Sequence, residues 1–151
     1  MIETRPLFEI RLNVPQIVDL GQTPVGRRRI ASVAGGTFEG ERMRGDVLPS
    51  PGGDWIVEQP DGTLILDVRI VLRTDDGALV YMTYRGVRHG PPDVMARMGA
   101  GQPVDPASYY FRIAPAFETS APAYAWLNRI VAVGRGRREP TGPIYSVFEV
   151  L

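Results

Sequence analysis

Residues Gly62–Gly86 read GTLILDVRIVLRTDDGALVYMTYRG, and the parity of this stretch decides the fold. Side chains of an extended chain alternate between two faces. Leu64, Leu66, Val68, Ile70 and Leu72 therefore share one face, and Thr63, Ile65, Asp67, Arg69, Val71 and Arg73 share the other. The run ends at Asp75-Asp76-Gly77, a tight-corner signal, because Asp-Gly tolerates the positive φ of a hairpin turn. In the return run Val80, Met82 and Tyr84 oppose Tyr81, Thr83 and Arg85. Asp61-Gly62 marks a second corner, so the spacing predicts an antiparallel three-stranded meander over Asp54–Gly86. At ~3.3 Å per residue, Thr63–Thr74 would extend about 40 Å. That exceeds what a small flat sheet needs and suits a strand tilted around a barrel.

Working outward, further strands are predicted at Leu7–Val14, Arg27–Glu39, Met43–Leu48, Asp54–Gln59, Tyr109–Ile113, Ala116–Thr119, Leu127–Gly134 and Pro143–Val150. The 17 Gly and 14 Pro are spread between them, as short strands joined by turns require. Ala34–Gly40, AGGTFEG, holds the glycines of a bulge or barrel corner. Gly90–Gly101, GPPDVMARMGAG, has a Pro start, a Gly stop and apolar residues three to four apart, so it reads as one short helix. With no βαβ alternation, the expected fold is all-β with one short helix. It is a single antiparallel β-barrel domain over residues 1–151, lipocalin-like or allene-oxide-cyclase-like in architecture.

Composition removes several chemistries. There is no cysteine, so thiolate catalysis and Cys-ligated metals are excluded. All 17 basic residues are Arg, which excludes lysine Schiff bases. His89 is the single histidine and cannot build a multi-histidine metal site. Walker, dinucleotide, GxSxG and metalloprotease motifs are absent. No metal and no cofactor are expected. A formal charge of zero argues against a nucleic-acid partner, and no apolar run is long enough for a membrane helix. MIETRPLFEI does not resemble a signal peptide, so a cytoplasmic location is expected.

The mixed face of Thr63–Thr74 leaves two readings open. Asp67, Arg69 and Arg73 either meet water, or Asp67 and Arg69 line the lumen of a barrel beside Tyr81, Thr83 and Arg85 as a polar ligand cavity. In the second case Leu64, Leu66 and Val68 face outward and need cover, which predicts a homo-oligomer.

Candidate site residues fall into four clusters. In GGDW, Asp54 is a general base and Trp55 a stacking wall, or the pair are a capping Asp and a core Trp. In YYFRIAPAFET, Arg112 suits a carboxylate or phenolate and Glu118 an acid or base, or the two form a salt bridge; Tyr109 lies on the opposite face from Arg112. In YAWLN, Trp126 is a second aromatic wall and Asn128 an oxyanion donor or a turn cap. His89 is a proton shuttle or a structural loop residue.

The blocks GGTFEG (35–40), RGDVLPSPGGDW (44–55), PDGTLILDVRIVLRTDDGALVY (60–81), YYFRIAPAFETSAPAYAWLN (109–128) and IYSVFEVL (144–151) together resemble the DUF3237 family, also called UPF0311. The resemblance spans about Leu7 to Val150 and implies a compact β-barrel. It implies no activity and no catalytic residue set. The residues themselves suggest a cofactor-independent isomerase, cyclase or lyase (hydratase) acting by acid–base chemistry on a carbonyl-containing aromatic or polyketide-like molecule. Asp54, Asp67, Tyr84, Arg112 and Glu118 are its catalytic candidates, and Trp55, Tyr109, Trp126, Asn128 and His89 its substrate contacts. The alternative is a barrel that binds a small hydrophobic ligand without catalysis.

Overall fold

The computed structural model describes residues 1–151. The run that begins at Gly62 forms two long antiparallel strands, β7 (Leu64–Thr74) and β8 (Leu79–His89), paired from Leu64↔Arg88 to Arg73↔Leu79. Gly62 and Gly77 take φ of 86° and 91° at the two Asp-Gly corners. The Asp61 carboxylate accepts the Thr63 N–H at 2.9 Å and fixes the first corner.

The remaining strands are β1 (Thr4–Leu12), β2 (Gln16–Thr23), β3 (Gly26–Ser32), β4 (Gly36–Glu39), β5 (Arg44–Val47), β6 (Gly53–Glu58), β9 (Tyr110–Glu118), β10 (Val131–Glu139) and β11 (Gly142–Val150). Eight of the eleven strands close a ring in the order β7-β5-β4-β1-β11-β10-β9-β8, and the β7–β8 pairing completes it. The other edge of β7 is shared. Its C-terminal part pairs with β5, and its N-terminal part pairs with β6, which carries β3 and β2 outward as a three-stranded flap. The fold is thus a closed antiparallel barrel with a flap at one end.

The apolar face of β7 points inward. Leu64, Leu66, Val68, Ile70 and Leu72 are all at most 5% exposed. Burial of each such side chain contributes about 1.5–3 kcal/mol, whereas exposed ion pairs contribute about 0–1 kcal/mol. Apolar burial therefore decides which face goes inside. The file of charges is on the outer wall, where Asp67 pairs loosely with Arg69 (3.7 Å) and Arg85 (4.0 Å), and Arg73 with Asp46 (3.8 Å). Asp67 and Arg69 do not line the lumen. The inward turn of Leu64, Leu66 and Val68 also removes the reason for expecting a covering subunit on that face.

The two ends of the barrel differ. Near the Asp75–Gly77 turn the interior is solid. Ile70, Leu72, Val80 and Met82 pack there, with Phe8 against Phe38 (5.5 Å between centroids) and Phe117 (6.0 Å). A 3-10 segment, Pro122–Arg129, buries Tyr124 and Leu127, and Tyr124 donates to Asp76 at 2.9 Å. At the opposite end lie the flap and the single α-helix, α1 (Pro92–Gly99), on the segment predicted to be helical. No helix is long and apolar enough to cross a membrane.

Four expectations change. Leu127–Gly134 is strand only from Val131, because Pro122–Arg129 is a 3-10 helix. Gln16–Thr23 was not expected as a strand; it is an exposed flap edge with no buried face and hence no alternation to read. Arg27–Glu39 divides at Val33–Gly35, where Gly35 and Gly36 at φ 120° and 151° carry the chain from flap to barrel wall. Tyr109–Ile113 and Ala116–Thr119 merge into β9. Pro115 is tolerated because β9 meets β10 only at Ile113 and Arg112, so no ladder N–H is needed there.

Candidate active site

The open half of the barrel encloses a cavity of about 560 Å³ between the lower strands, the flap and α1. Its floor and sides are apolar, with Leu64, Leu66 and Val68 from β7 and Met95 and Met98 from α1. Polar groups enter it in rows set by strand register. Asp54 stands opposite Val68, and Val68 opposite Tyr84. At ~4.8 Å per strand the Asp54 and Tyr84 Cα atoms are about 10 Å apart with both side chains on the inner face. Two inward positions nearer the mouth, Glu58, Leu64, Arg88 and Phe111 make a second row. Tyr145 comes from β11 opposite Gly136. A Cβ at Gly136 would approach Phe111 Cγ and Tyr145 Cε1 at 2.8 Å, so only glycine leaves room for these rings. The Tyr145 ring is edge-on to both Phe111 and Tyr84, each at 5.2 Å.

Asp54 is held by a gap in the ladder. The β6–β7 pairing reaches Asp54↔Val68 and resumes at Val57↔Ile65. Within the gap the Asp67 N–H donates to the Asp54 carboxylate at 3.1 Å, and the Trp55 carbonyl accepts from Arg28 at 3.0 Å. Burial pushes Asp54 up to about 6, against the opposing pull of the Asp67 N–H and the Arg88 charge. Burial also raises both phenols, Tyr84 and Tyr145. At neutral pH the carboxylate can therefore accept a proton, while both phenols stay protonated and can only donate. Burial lowers Arg88, reinforced by Arg138, yet a guanidinium stays charged at physiological pH.

Of the residues singled out from sequence, Asp54, Tyr84 and His89 reach the cavity; His89 is at its rim, stacked on Tyr110 at 5.1 Å. The others do not. The Asp67 side chain is on the outer wall, and only its N–H serves the site. Trp55 is exposed on the outside beneath Arg69, 5.2 Å from ring to guanidinium. Arg112 and Glu118 are on the outer face of β9. Arg112 donates to the Phe111 carbonyl (3.0 Å) and lies over Tyr110, and no ion pair joins it to Glu118. Tyr109 is buried in the core outside the cavity lining, accepting the Arg138 backbone N–H at 2.8 Å.

Trp126 and Asn128 are on the 3-10 segment at the solid end, not on a strand, so strand parity does not apply to them. Trp126 stacks on Arg42 at 4.0 Å. Asn128 caps a turn: it accepts the Thr119 N–H (2.8 Å) and donates to the Thr119 carbonyl (2.9 Å). Asn128→Ala should lower unfolding free energy by about 1–2 kcal/mol through these two bonds; an unchanged urea midpoint would remove that role.

Sequence reasoning missed Tyr145, Arg88, Arg138 and Arg29, all of which line the cavity. A signal for Arg88 existed. Continuing the Val80, Met82, Tyr84 parity through Gly86 places Arg88 on the same inner face. No three His, Cys, Asp or Glu side chains gather in a metal-binding arrangement.

Known proteins match this architecture along its whole length. A solved structure from Rhodopseudomonas palustris, described as a conserved protein of unknown function, superposes with a TM-score of 0.94 at 36% identity, covering 100% of this chain and 99% of that one. A β-barrel-like protein from Acinetobacter baumannii superposes at 0.87 with 39% identity, covering 100% and 97%. A structure described as an enzyme from Penicillium herquei shares the fold at 0.75 with 20% identity, covering 99% and 95%. In sequence, a UPF0311 protein of Rhodopseudomonas palustris is 36% identical over 150 residues, which is 99% of this chain and 97% of the relative. The family described as "Protein of unknown function (DUF3237)" matches residues 2–150. On this full-length agreement in sequence and fold, the chain belongs to the DUF3237 (UPF0311) family.

Proposed function

We propose that this protein is a cofactor-independent enzyme that moves a proton beside a carbonyl group of an aromatic or polyketide-like small molecule, as an isomerase, cyclase or lyase does. One observation carries the reading: Asp54, a half-buried carboxyl pushed up to about 6, shares an apolar hollow with two phenols that stay protonated. The Asp54 carboxylate takes a proton from the carbon next to the carbonyl. The carbonyl oxygen gains the negative charge and is met by the Tyr84 hydroxyl, a neutral donor on a buried side chain. The proton on Asp54 then returns to another atom of the same molecule, or leaves with a departing hydroxyl as water. Description of the Penicillium herquei fold neighbour as an enzyme is compatible with catalysis in such a barrel.

The apolar floor favours a second reading, a carrier of hydrophobic ligands without turnover. Proton exchange separates the two. In D2O, the protein should speed deuterium uptake at the α-carbons of phenylacetone, a neutral aryl-substituted ketone, above the buffer rate. Tyr84→Phe should cut that acceleration about 100-fold, as loss of one oxyanion donor does. Binding of aryl ketones with no acceleration for any of them would leave the carrier reading and remove the catalytic one.

A further inference from the structure

Two of the guanidinium groups at the mouth of the cavity have no carboxylate within ion-pair distance. Three guanidinium groups line it: Arg29 from β3, Arg88 from β8 and Arg138 from β10. Arg29 has a partner, Glu58 at 3.4 Å. Arg88 and Arg138 take part in none of the ion pairs of the molecule. The Arg138 side chain donates only to the Glu139 carbonyl, at 2.9 Å. Arg88 lies over the Phe111 ring at 5.4 Å, and its Nε is buried without any hydrogen-bond partner. The carboxylates nearby are occupied elsewhere: Asp61 holds its own turn, Glu58 faces Arg29, and Asp54 is bound by the Asp67 N–H. A buried guanidinium N–H without a partner is costly, and the planar guanidinium fork matches the planar, two-oxygen carboxylate.

We propose that the ligand of this cavity is a carboxylate-bearing molecule whose acid group docks between Arg88 and Arg138 at the mouth, with its apolar body directed inward to Tyr84 and Tyr145. This rests on the reading of the hollow as a substrate site and adds the substrate class. Arg88 and Tyr84 are four residues apart on one strand, so their Cα atoms are separated by ~13 Å. The long Arg88 side chain spans part of that distance, so the acid group and the carbonyl that meets Tyr84 are set apart along the substrate. The substrate class is an aryl or polyketide-type acid that also carries a ketone.

A matched probe pair tests this: 6-acetyl-2-naphthoate and 6-acetyl-2-naphthamide, equal in shape and different in charge. Calorimetric titration of the wild-type protein should show the acid bound at least about tenfold more tightly than the amide. Arg88→Met should weaken the acid about 30-fold, the effect of losing a charged hydrogen-bond partner, and leave the amide unchanged. Should that variant not fold, Arg138→Met and the wild-type ratio carry the same test. Asp54→Asn should keep the preference for the acid. Equal binding of acid and amide, or binding of neither at millimolar concentration, overturns the assignment, as does a preference that survives both arginine substitutions. Exchange of the acetyl methyl protons in D2O reports separately on proton transfer. Tight acid binding without exchange counts against the catalytic reading alone.

Discussion

Asp54→Asn should stabilise the protein at pH 8 and, in the same molecule, abolish the acceleration of α-proton exchange. The two effects have one cause. The folded protein holds the Asp54 proton up to about 6, against an ordinary 3.8. Stability from the protonated group is therefore complete below pH 3.8 and is lost as pH rises through about 6. The cost of the buried charge at pH 8 is about 3 kcal/mol at most, and solvent reaching a half-buried group reduces it to about 1–2 kcal/mol. Asparagine removes that charge while its carbonyl oxygen can still accept the Asp67 N–H. The variant should match the wild type at pH 3.5 and exceed it by about 1–2 kcal/mol at pH 8 in urea unfolding. Loss of a general base should slow exchange about a thousandfold. A variant less stable than wild type at pH 8, or one that still catalyses exchange, would contradict the account.

Gly36→Ala should cost more than about 4 kcal/mol or prevent folding. Gly36 adopts φ 151° at the point where the chain enters the barrel wall, opposite Leu12 of β1. Any Cβ there would be driven into the backbone carbonyl of Arg11. Neither a rotamer change nor a shift of a flexible side chain relieves a clash with backbone, so β4 must part from β1 and open the ring. Gly77→Ala is the control. It also replaces a glycine at positive φ, 91°, but in a hairpin corner with nothing within 4 Å of the added carbon. That change should cost about 1 kcal/mol. Equal losses from the two substitutions would show that backbone conformation, not barrel closure, governs Gly36.

Much of the barrel was legible because β7 and β8 alternate cleanly and meet at Asp-Gly corners, and because α1 has its Pro start and Gly stop. Parity could not say which face of β7 is the inside; the energetic contrast between five buried aliphatic side chains and loosely paired charges does. The exposed flap strand β2 carries no such pattern, and the pairing of β9 across Pro115 depends on a partner strand that local sequence does not name. Asp54 was visible beside its two glycines, and Tyr84 by its place on the apolar face. Tyr145 read as an ordinary residue of the closing strand. Nothing in the local sequence marks Arg29 or Arg138, since only the register of the folded sheet turns them toward the cavity.

The central claim is that Asp54 changes protonation state within the range where a base works at neutral pH. Titration of side-chain carboxyl carbons by NMR in uniformly 13C-labelled protein, with the Asp54 signal assigned by its loss in Asp54→Asn, reads this directly. The account predicts a midpoint near pH 6 for that one resonance. A midpoint near the ordinary 3.8 would mean a solvated carboxylate in an open groove, and would contradict it.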